Sequence, residues 1–459
     1  MNGLVARIQS PNSTRFGSAA VPLLLNVAYV LLLVAVSPIL LYRSIAHGKY
    51  RDGWGEKLFG RLPALDPPEH GQTRYWFHAV SVGEVLLLQS ILPELRSREP
   101  DAEIVLTTTT STGHAVARAK FPDVTVCYFP LDFTWAVRRA LSRIRPTKVV
   151  LVELELWPSF LLAARRARVP VSLINGRLSE KSFRGYSRVS WLLSPLLQSF
   201  DLLAVQNETY ARRFVQLGAV PERVHVTGSA KFDGVRSDRE NAQTRQIREA
   251  FGLRDGELVF VAGSTQDPEE QIALDSWLEL RGEFPKLRLI LVPRHKERFG
   301  EVARLIDSYG LPLMRRSGSV AERDAVQASE TPVLLLDTLG ELSACWGLAD
   351  YAFVGGSMGH RGGQNMIEPC AYGAAVCFGP NTRNFRDVVE ALLTRDAAQV
   401  IRDGAELTSI LRRWLNDAAA ACQQGNVARD FVLSQSGASS RTVSLLSGEV
   451  SDALRARAA

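Results

Sequence analysis

The chain has 459 residues, enough for two large units or about three ordinary ones. Hydrophobic residues make up 46% and charged residues 22%, which excludes collagen-like, low-complexity and wholly disordered chains and allows a sizeable core. The 54 basic and 48 acidic side chains leave a formal charge of +6, too small by itself to imply a polyanion partner. The distribution says more: residues 43–230 carry 25 Lys or Arg against 17 Asp or Glu, whereas residues 231–459 carry 27 against 31. A basic first half suits an anionic surface. The five cysteines (Cys127, Cys345, Cys370, Cys377, Cys422) show no CxxC or Cys/His spacing. That argues against a disulfide framework or a zinc site and for reduced thiols in the cytosol.

Residues 1–45 read as a membrane anchor. No Asp, Glu, Lys or Arg occurs from Phe16 to Tyr42, and the stretch 21–41 (VPLLLNVAYVLLLVAVSPILL) is about long enough to cross a hydrocarbon core as a helix, although Asn26 and Pro38 weaken it. Arg7 and Arg15 precede it, while Arg43, Lys49, Arg51, Lys57 and Arg61 follow, a bias that places the rest of the chain in the cytoplasm. A cleaved signal peptide has a shorter apolar region and a small-x-small site, which is missing before the basic flank. The pattern fits a spanning helix and a monotopic one equally.

From residue 70 onward, short apolar runs (75–80, 103–108, 124–129, 148–152, 169–174, 202–205) alternate with helical patterns such as 83–98 and 157–167. This rhythm calls for a parallel sheet covered on both faces. A polar, helix-breaking stretch at 230–256 intervenes, and a second strand series follows at 258–262, 287–292, 332–336, 351–354 and 375–378. The expected architecture is α/β, with Rossmann-like domains at 46–235 and 236–459, the second including the C-terminal helices, and with a ligand cleft facing both at the carboxyl ends of the strands. The tail after residue 410 reads as helical and able to cross back to the first half.

Several motifs fall at those carboxyl ends. In FHAVSVGEV (77–85), Ser81, Gly83 and Glu84 follow a strand that contains His78. Glu84 in the first turn of a helix is placed to accept a proton from a hydroxyl; a carboxylate there also simply complements the positive helix end. In VELELWPSF (152–160), Glu153 and Glu155 share a face if the strand continues. INGRLSEKS (174–182) brings Asn175, Arg177, Ser179 and Lys181, cations suited to phosphate or carboxylate or to an ordinary charged surface.

In the second half, AGSTQDPEE (262–270) sets Gly263, Ser264 and Thr265 at a strand end, LVPRHKERF (291–299) supplies Arg294 and His295, and DTLGEL (337–342) supplies Gly340 and Glu341. FVGGSMGHRGGQNMIEPCAYG (353–373) is the most informative stretch: its glycines allow close backbone approach to a ligand. A helix expected near Gln364 would point its positive end at a phosphate, with Asn365 and Glu368 on one face and Glu368 able to hold a ribose diol. Together these features point to a nucleotide-sugar site.

In order along the chain, the HxxSxGE run ending at Glu84, ELWP (155–158), NGRLSEKS (175–182), GSAKFD (228–233), GST (263–265), PRH (293–295), DTLGEL (337–342), GGxNxxEP (362–369) and FGPNTRNF (378–385) resemble the Kdo transferases. These enzymes move 3-deoxy-D-manno-octulosonic acid (Kdo) from CMP-Kdo to the lipid A precursor and have the GT-B glycosyltransferase fold. The resemblance implies Glu84 as catalytic base and Glu155, less surely Glu153, as its acidic partner. It implies Ser264, Arg294, Gly340, Glu341, Asn365 and Glu368 as CMP contacts, with Arg177, Lys231 and Ser81 on the sugar or acceptor. The sequence departs from the family pattern at Gln266 and Gln364, where histidine is usual. The implied partners are CMP-Kdo, lipid IVA and inner-membrane phospholipid, with no nucleic acid, no cofactor and no metal, since no DxD-type pair stands at a fitting place. The alternatives are another membrane-associated lipid glycosyltransferase or UDP-sugar epimerase of the same fold, and a non-enzymatic lipid-binding protein, against which the joint presence of Glu84, Arg294, Asn365 and Glu368 weighs.

Overall fold

The computed structural model describes residues 20–47, 52–319, 321 and 331–448. The chain forms two compact units, one comprising the residues through Asp233 together with those from Gly437 onward, the other Gly234–Ser436. In unit 1, strands β1 (Arg74–His78), β2 (Glu103–Thr108), β3 (Thr125–Tyr128), β4 (Lys148–Val152), β5 (Val171–Gly176), β6 (Leu202–Val205) and β7 (Val224–Val226) form one sheet in the order β3-β2-β1-β4-β5-β6-β7. Every pair is parallel. Such a sheet is buried on both sides, which is why RYWFH, KVVLV and LLAV do not alternate apolar with polar. Side chains still alternate between faces: Trp76, Val149 and Leu151 join Phe160 and Phe214 in one core, while Tyr75, Phe77, Val150 and Val152 join Leu88 and Ile91 in the other.

Unit 2 repeats the plan with β8 (Leu258–Thr265), β9 (Leu287–Pro293), β10 (Leu313–Arg315), β11 (Val333–Leu335), β12 (Tyr351–Val354), β13 (Ala375–Phe378) and β14 (Gln399–Val400), in the order β10-β11-β9-β8-β12-β13-β14 and again parallel throughout. In each sheet the winding reverses once, between β1 and β4 and between β8 and β12. Such switch points open a crevice at the carboxyl ends of the two strands, where ligands of doubly wound sheets bind.

The last described helix, Ala438–Ser447, belongs to unit 1 and not to the second domain, where 236–459 had been expected to lie together. Its Val443 and Leu446 complete the core beside the helix Val82–Arg98. The Asp233 carboxylate accepts the Gly437 and Ser439 N–H groups at its start, and Arg98 donates to Ser440 at 2.7 Å.

The anchor expected within residues 1–45 is corrected in part. Residues 21–41 are helical, inside Ala20–His47, but among the described residues no helix is long and apolar enough to cross a membrane. The flanking charges Arg7, Arg15, Lys49 and Arg51 lie outside the described residues. The polar side chains dock this helix on unit 1. Asn26 donates to the Thr134 hydroxyl at 2.7 Å and accepts the Thr134 N–H at 3.0 Å, capping the helix Thr134–Ile144. Tyr29 donates to Asp132 at 2.8 Å and sets its ring edge-on to Phe133. Leu25, Asn26, Tyr29, Leu33 and Val36, spaced three and four apart, form a half-buried stripe, while Leu23, Leu24, Leu31, Leu32 and Val34 are each more than 60% exposed.

Asp132 ties this helix to the sheet. Its buried carboxylate also accepts the Ser159 and Phe160 N–H groups at 2.9 and 2.8 Å, the first turn of the helix Pro158–Arg166. Burial raises its pKa from 3.8 to about 6 against the opposite pull of those bonds. The folded state therefore holds a proton between about pH 4 and 6 that the unfolded chain releases, so this group's contribution to stability falls as pH rises through that window. Asp132→Ala orphans three donors and should cost about 1–3 kcal/mol in thermal or urea unfolding. The gap to wild type should widen as the pH is lowered from 7 towards 4.

Candidate active site

At the carboxyl end of β1, His78 is fully buried, with Nδ1 at 3.1 Å from the Thr107 carbonyl and its ring stacked on Phe129 at 3.7 Å. Burial pulls the imidazole down to about 3, so it is a neutral core histidine. Three residues later Ser81 caps the helix Val82–Arg98, and Glu84 folds back over the helix start. One Glu84 oxygen accepts the Val80 N–H at 2.7 Å and the other the Ser81 hydroxyl at 2.9 Å. This is a variant of the capping box. Cap and base readings thus meet in one geometry: each oxygen has spent one lone pair on the cap and retains another, and the residue is 9% exposed. Burial, the largest influence, raises the Glu84 pKa; the two bonds oppose it, Glu153 adds to it and Arg177 subtracts.

β4 ends at Val152, and Glu153 turns the chain with φ 61°. The period-two expectation for Glu153 and Glu155 therefore does not apply, because the strand does not continue, and the two carboxylates have separate partners. Glu153 pairs with Arg177 at 3.0 Å and with Lys231 at 3.8 Å, so both cations expected to face a ligand are directed onto this carboxylate. Glu155 accepts the Trp157 indole N–H at 2.8 Å. Burial first, then the charges of Glu84 and Glu153, push its pKa up to about 7. At the end of β5, Asn175, also at positive φ, accepts the Ala230 N–H at 3.3 Å and so draws the 228–233 segment to the same edge. Its buried Nδ2 has no partner among the described residues.

In unit 2, Ser264 stands near the end of β8 with φ 55°, and Arg294 follows β9 with its backbone N–H bonded to Thr265 at 3.0 Å. The helix carrying Glu368 begins at Ile367 and has five residues, three positions later than expected from Gln364. The cause is Asn365, whose side-chain oxygen accepts the Ile367 N–H at 3.1 Å, an Asx turn that holds the chain out of the helix. Asn365 and Glu368 meet nonetheless, through a 2.9 Å bond across the helix start. Burial raises the Glu368 pKa, while Asn365, Ser343, Arg294 and Arg236 lower it. Gly340 takes φ 85° before Glu341, whose carboxylate is held by Arg316 at 2.8 Å and by the Thr338 hydroxyl.

One organising residue escaped the sequence reading. Glu269, 1% exposed, accepts four backbone N–H groups: Gln266 at 2.9 Å, Gly356 at 2.6 Å, and Ser357 and Met358 each at 2.9 Å. It fixes the start of the glycine-rich loop against the end of β8. Gly355 is required for this approach, since a Cβ there would lie 2.6 Å from Thr265 Cα and 2.8 Å from the Glu269 carboxylate. The adjacent pair of glutamates at a helix start was the only signal, and it reads as ordinary helix-end charge. Its neighbour Glu270 is equally buried and holds Arg298 at 2.9 Å. Gln266 and Gln364, the two departures from the family pattern, are neighbours, both reaching within 3.3 Å of where a Gly356 Cβ would stand.

The family model described as 3-Deoxy-D-manno-octulosonic-acid transferase (kdotransferase) matches residues 52–234. The 3-deoxy-D-manno-octulosonic acid transferase of Haemophilus influenzae is 30% identical over 91% of this chain and 97% of its own. That of Bordetella pertussis is 33% identical over 84% of this chain and 90% of its own. Among solved structures, a putative UDP-N-acetylglucosamine 2-epimerase from Listeria monocytogenes covers 83% of this chain and 98% of its own with a TM-score of 0.53; at 11% identity it shows a shared fold alone. With these identities, extending over nearly the full length of the relatives, the chain belongs to the 3-deoxy-D-manno-octulosonic acid transferase family of glycosyltransferases.

Proposed function

We propose that the chain transfers Kdo from CMP-Kdo to a sugar hydroxyl of the lipid A precursor lipid IVA, with inversion at the anomeric carbon. The observation that carries this reading is the state of Glu84: a carboxylate at a sheet switch point, held in place by Val80 and Ser81 and raised in pKa by burial. That is what a general base acting on a hydroxyl requires. Glu84 takes the acceptor proton as the oxygen attacks, and CMP leaves. Glu155 is the acidic partner: pushed up to about 7, it carries a proton below that pH, so that a second charge need not be held beside Glu84 there. Glu153, Arg177 and Lys231 form a charge cluster that favours the ionised base through Arg177.

Unit 2 holds the donor. Glu368, positioned by Asn365, accepts from the ribose hydroxyls. Arg294 and Ser264 meet the phosphate, and Gly340 and Glu341 offer backbone N–H groups. Cations and oriented N–H groups of this kind stabilise the charge that grows on the departing phosphate.

The protein incubated with CMP-Kdo and a tetra-acylated disaccharide bisphosphate should yield a lipid heavier by one or more Kdo units on mass analysis. Release of UDP from a UDP-sugar in place of CMP would overturn the assignment. Glu84→Ala should lower turnover about a hundredfold to ten-thousandfold while CMP affinity stays within twofold.

Because Glu155 titrates near 7, Glu155→Gln mimics its protonated form. Its kcat should follow wild type at pH 6 and diverge above 7, where the native carboxyl loses its proton. A pH profile of both proteins checks this.

The acceptor is an anionic lipid, and the basic excess of residues 43–230 with the exposed leucines of Ala20–His47 supports a peripheral association with the cytoplasmic face of the inner membrane. Sedimentation with vesicles containing anionic lipid should bring the protein down, less so as salt is raised. Equal recovery with neutral and anionic vesicles would contradict the electrostatic part.

A further inference from the structure

The FGPNTRNF motif (378–385) has no role in the chemistry above, yet it is bonded along the glycine-rich loop. Asn381 donates its backbone N–H to Ser357 at 2.9 Å and its side chain to Met358 at 3.1 Å; Asn384 donates its backbone N–H to Gly362 at 2.9 Å and its amide to Arg361 and Gly363 at 3.0 and 3.2 Å. These bonds leave the two arginines of the segment and its following helix, Arg386–Leu393, turned towards a cavity of about 540 Å³. Arg383 lies across the loop only because residue 362 is glycine: a Cβ there would stand 2.6 Å from Arg383 Cγ and 2.9 Å from its Nε.

The lining combines three kinds of group. Arg383 and Arg386 face in, and among the described residues neither side chain has a hydrogen-bond or ion-pair partner. Glu390 is the one carboxylate among the lining residues, beside His360, and Val389 and Leu393 give an apolar wall. Two guanidinium forks opposed by one carboxylate leave a positive cavity suited to a planar anion. A volume far above that of a bare ion, with hydroxyl-binding groups and an apolar side, suits a monosaccharide. The residues assigned to the nucleotide, Ser264, Arg294, Asn365 and Glu368, are not among its lining.

We propose that this cavity binds the carboxylate and ring of an acidic sugar, with Arg383 and Arg386 as the carboxylate fork. The inference rests on the proposed Kdo transfer for the identity of the sugar, which has two possible sources: the donor, or a sugar acid already attached to the acceptor.

The test uses the full chain and two variants, Arg383→Ala/Arg386→Ala and the single charge reversal Arg386→Glu, with unchanged thermal melting as the folding control; both side chains are exposed. Ligand-observed NMR with Kdo, glucuronate and glucose should show the two acids, and not glucose, binding to wild type, with at least a tenfold loss in both variants and CMP affinity within twofold. A tenfold or larger rise in KM for CMP-Kdo alone assigns the donor as source; a rise confined to a Kdo-bearing lipid assigns the acceptor. Sugar-acid binding and both KM values unaltered in the variants would overturn the site. Wild type that binds sugar acids but turns over no CMP-Kdo would instead refute the proposed function and leave the site standing.

Discussion

Both sheets are parallel throughout, and that constraint shapes everything placed on them. Each crossover must return over a face, so both faces are covered and every strand opens its carboxyl end on one edge. The loops at that edge carry the side chains proposed for function but have no ladder to satisfy their backbone. Buried or half-buried carboxylates supply the missing acceptors. Asp132 takes the first N–H groups of Pro158–Arg166, Glu269 takes three from the glycine-rich loop, and Asp233 takes two at the start of Ala438–Ser447. An ionised carboxylate out of water is costly unless its lone pairs are filled, so such a group, once buried, enforces the loop geometry that fills them.

The same accounting separates the three glutamates at the β1–β4 crevice. Two cations are within reach, and both go to Glu153. Glu84 receives a backbone N–H and a hydroxyl, Glu155 a single indole N–H, and both have raised pKa values. Three carboxylates with uneven compensation are thus set apart: one stays paired, and the other two are raised by burial, Glu155 to about 7.

Much of this was legible in the sequence because buried parallel strands are written as uninterrupted apolar runs. Every interior strand of both sheets falls on such a run; Glu84, Glu155, Ser264 and Arg294 stand just beyond one, and Asn365 and Glu368 lie past the glycine-rich loop that follows β12. What the sequence concealed depends on long-range pairing. β10 and β14 are edge strands of three and two residues, too short for a periodic signal. The placement of Ala438–Ser447 hangs on Asp233, 206 residues from its partner Ser439. Arg177 and Lys231 read as ligand-facing cations because nothing local reveals that both pair with Glu153; their shared carboxylate is seen only once β4 has ended in a left-handed turn at Glu153.

The N-terminal helix shows how one residue can mean opposite things at the two levels. In the sequence Asn26 dilutes an apolar stretch and weakens it as a span. In the structure Asn26 and Tyr29 are the reason the helix has a defined place, since their bonds to Thr134 and Asp132 lie on its half-buried stripe. A helix surrounded by lipid has no use for a polar stripe, whereas a helix held along a folded unit needs one to fix its rotation. With that stripe turned inward, Leu23, Leu24, Leu31 and Leu32 are turned outward, the sidedness of an element that rests on an apolar surface. Asp132 joins this helix to the first turn of Pro158–Arg166, which directly follows Glu155, so the element proposed to meet the membrane and the segment proposed to assist the base share one buried carboxylate.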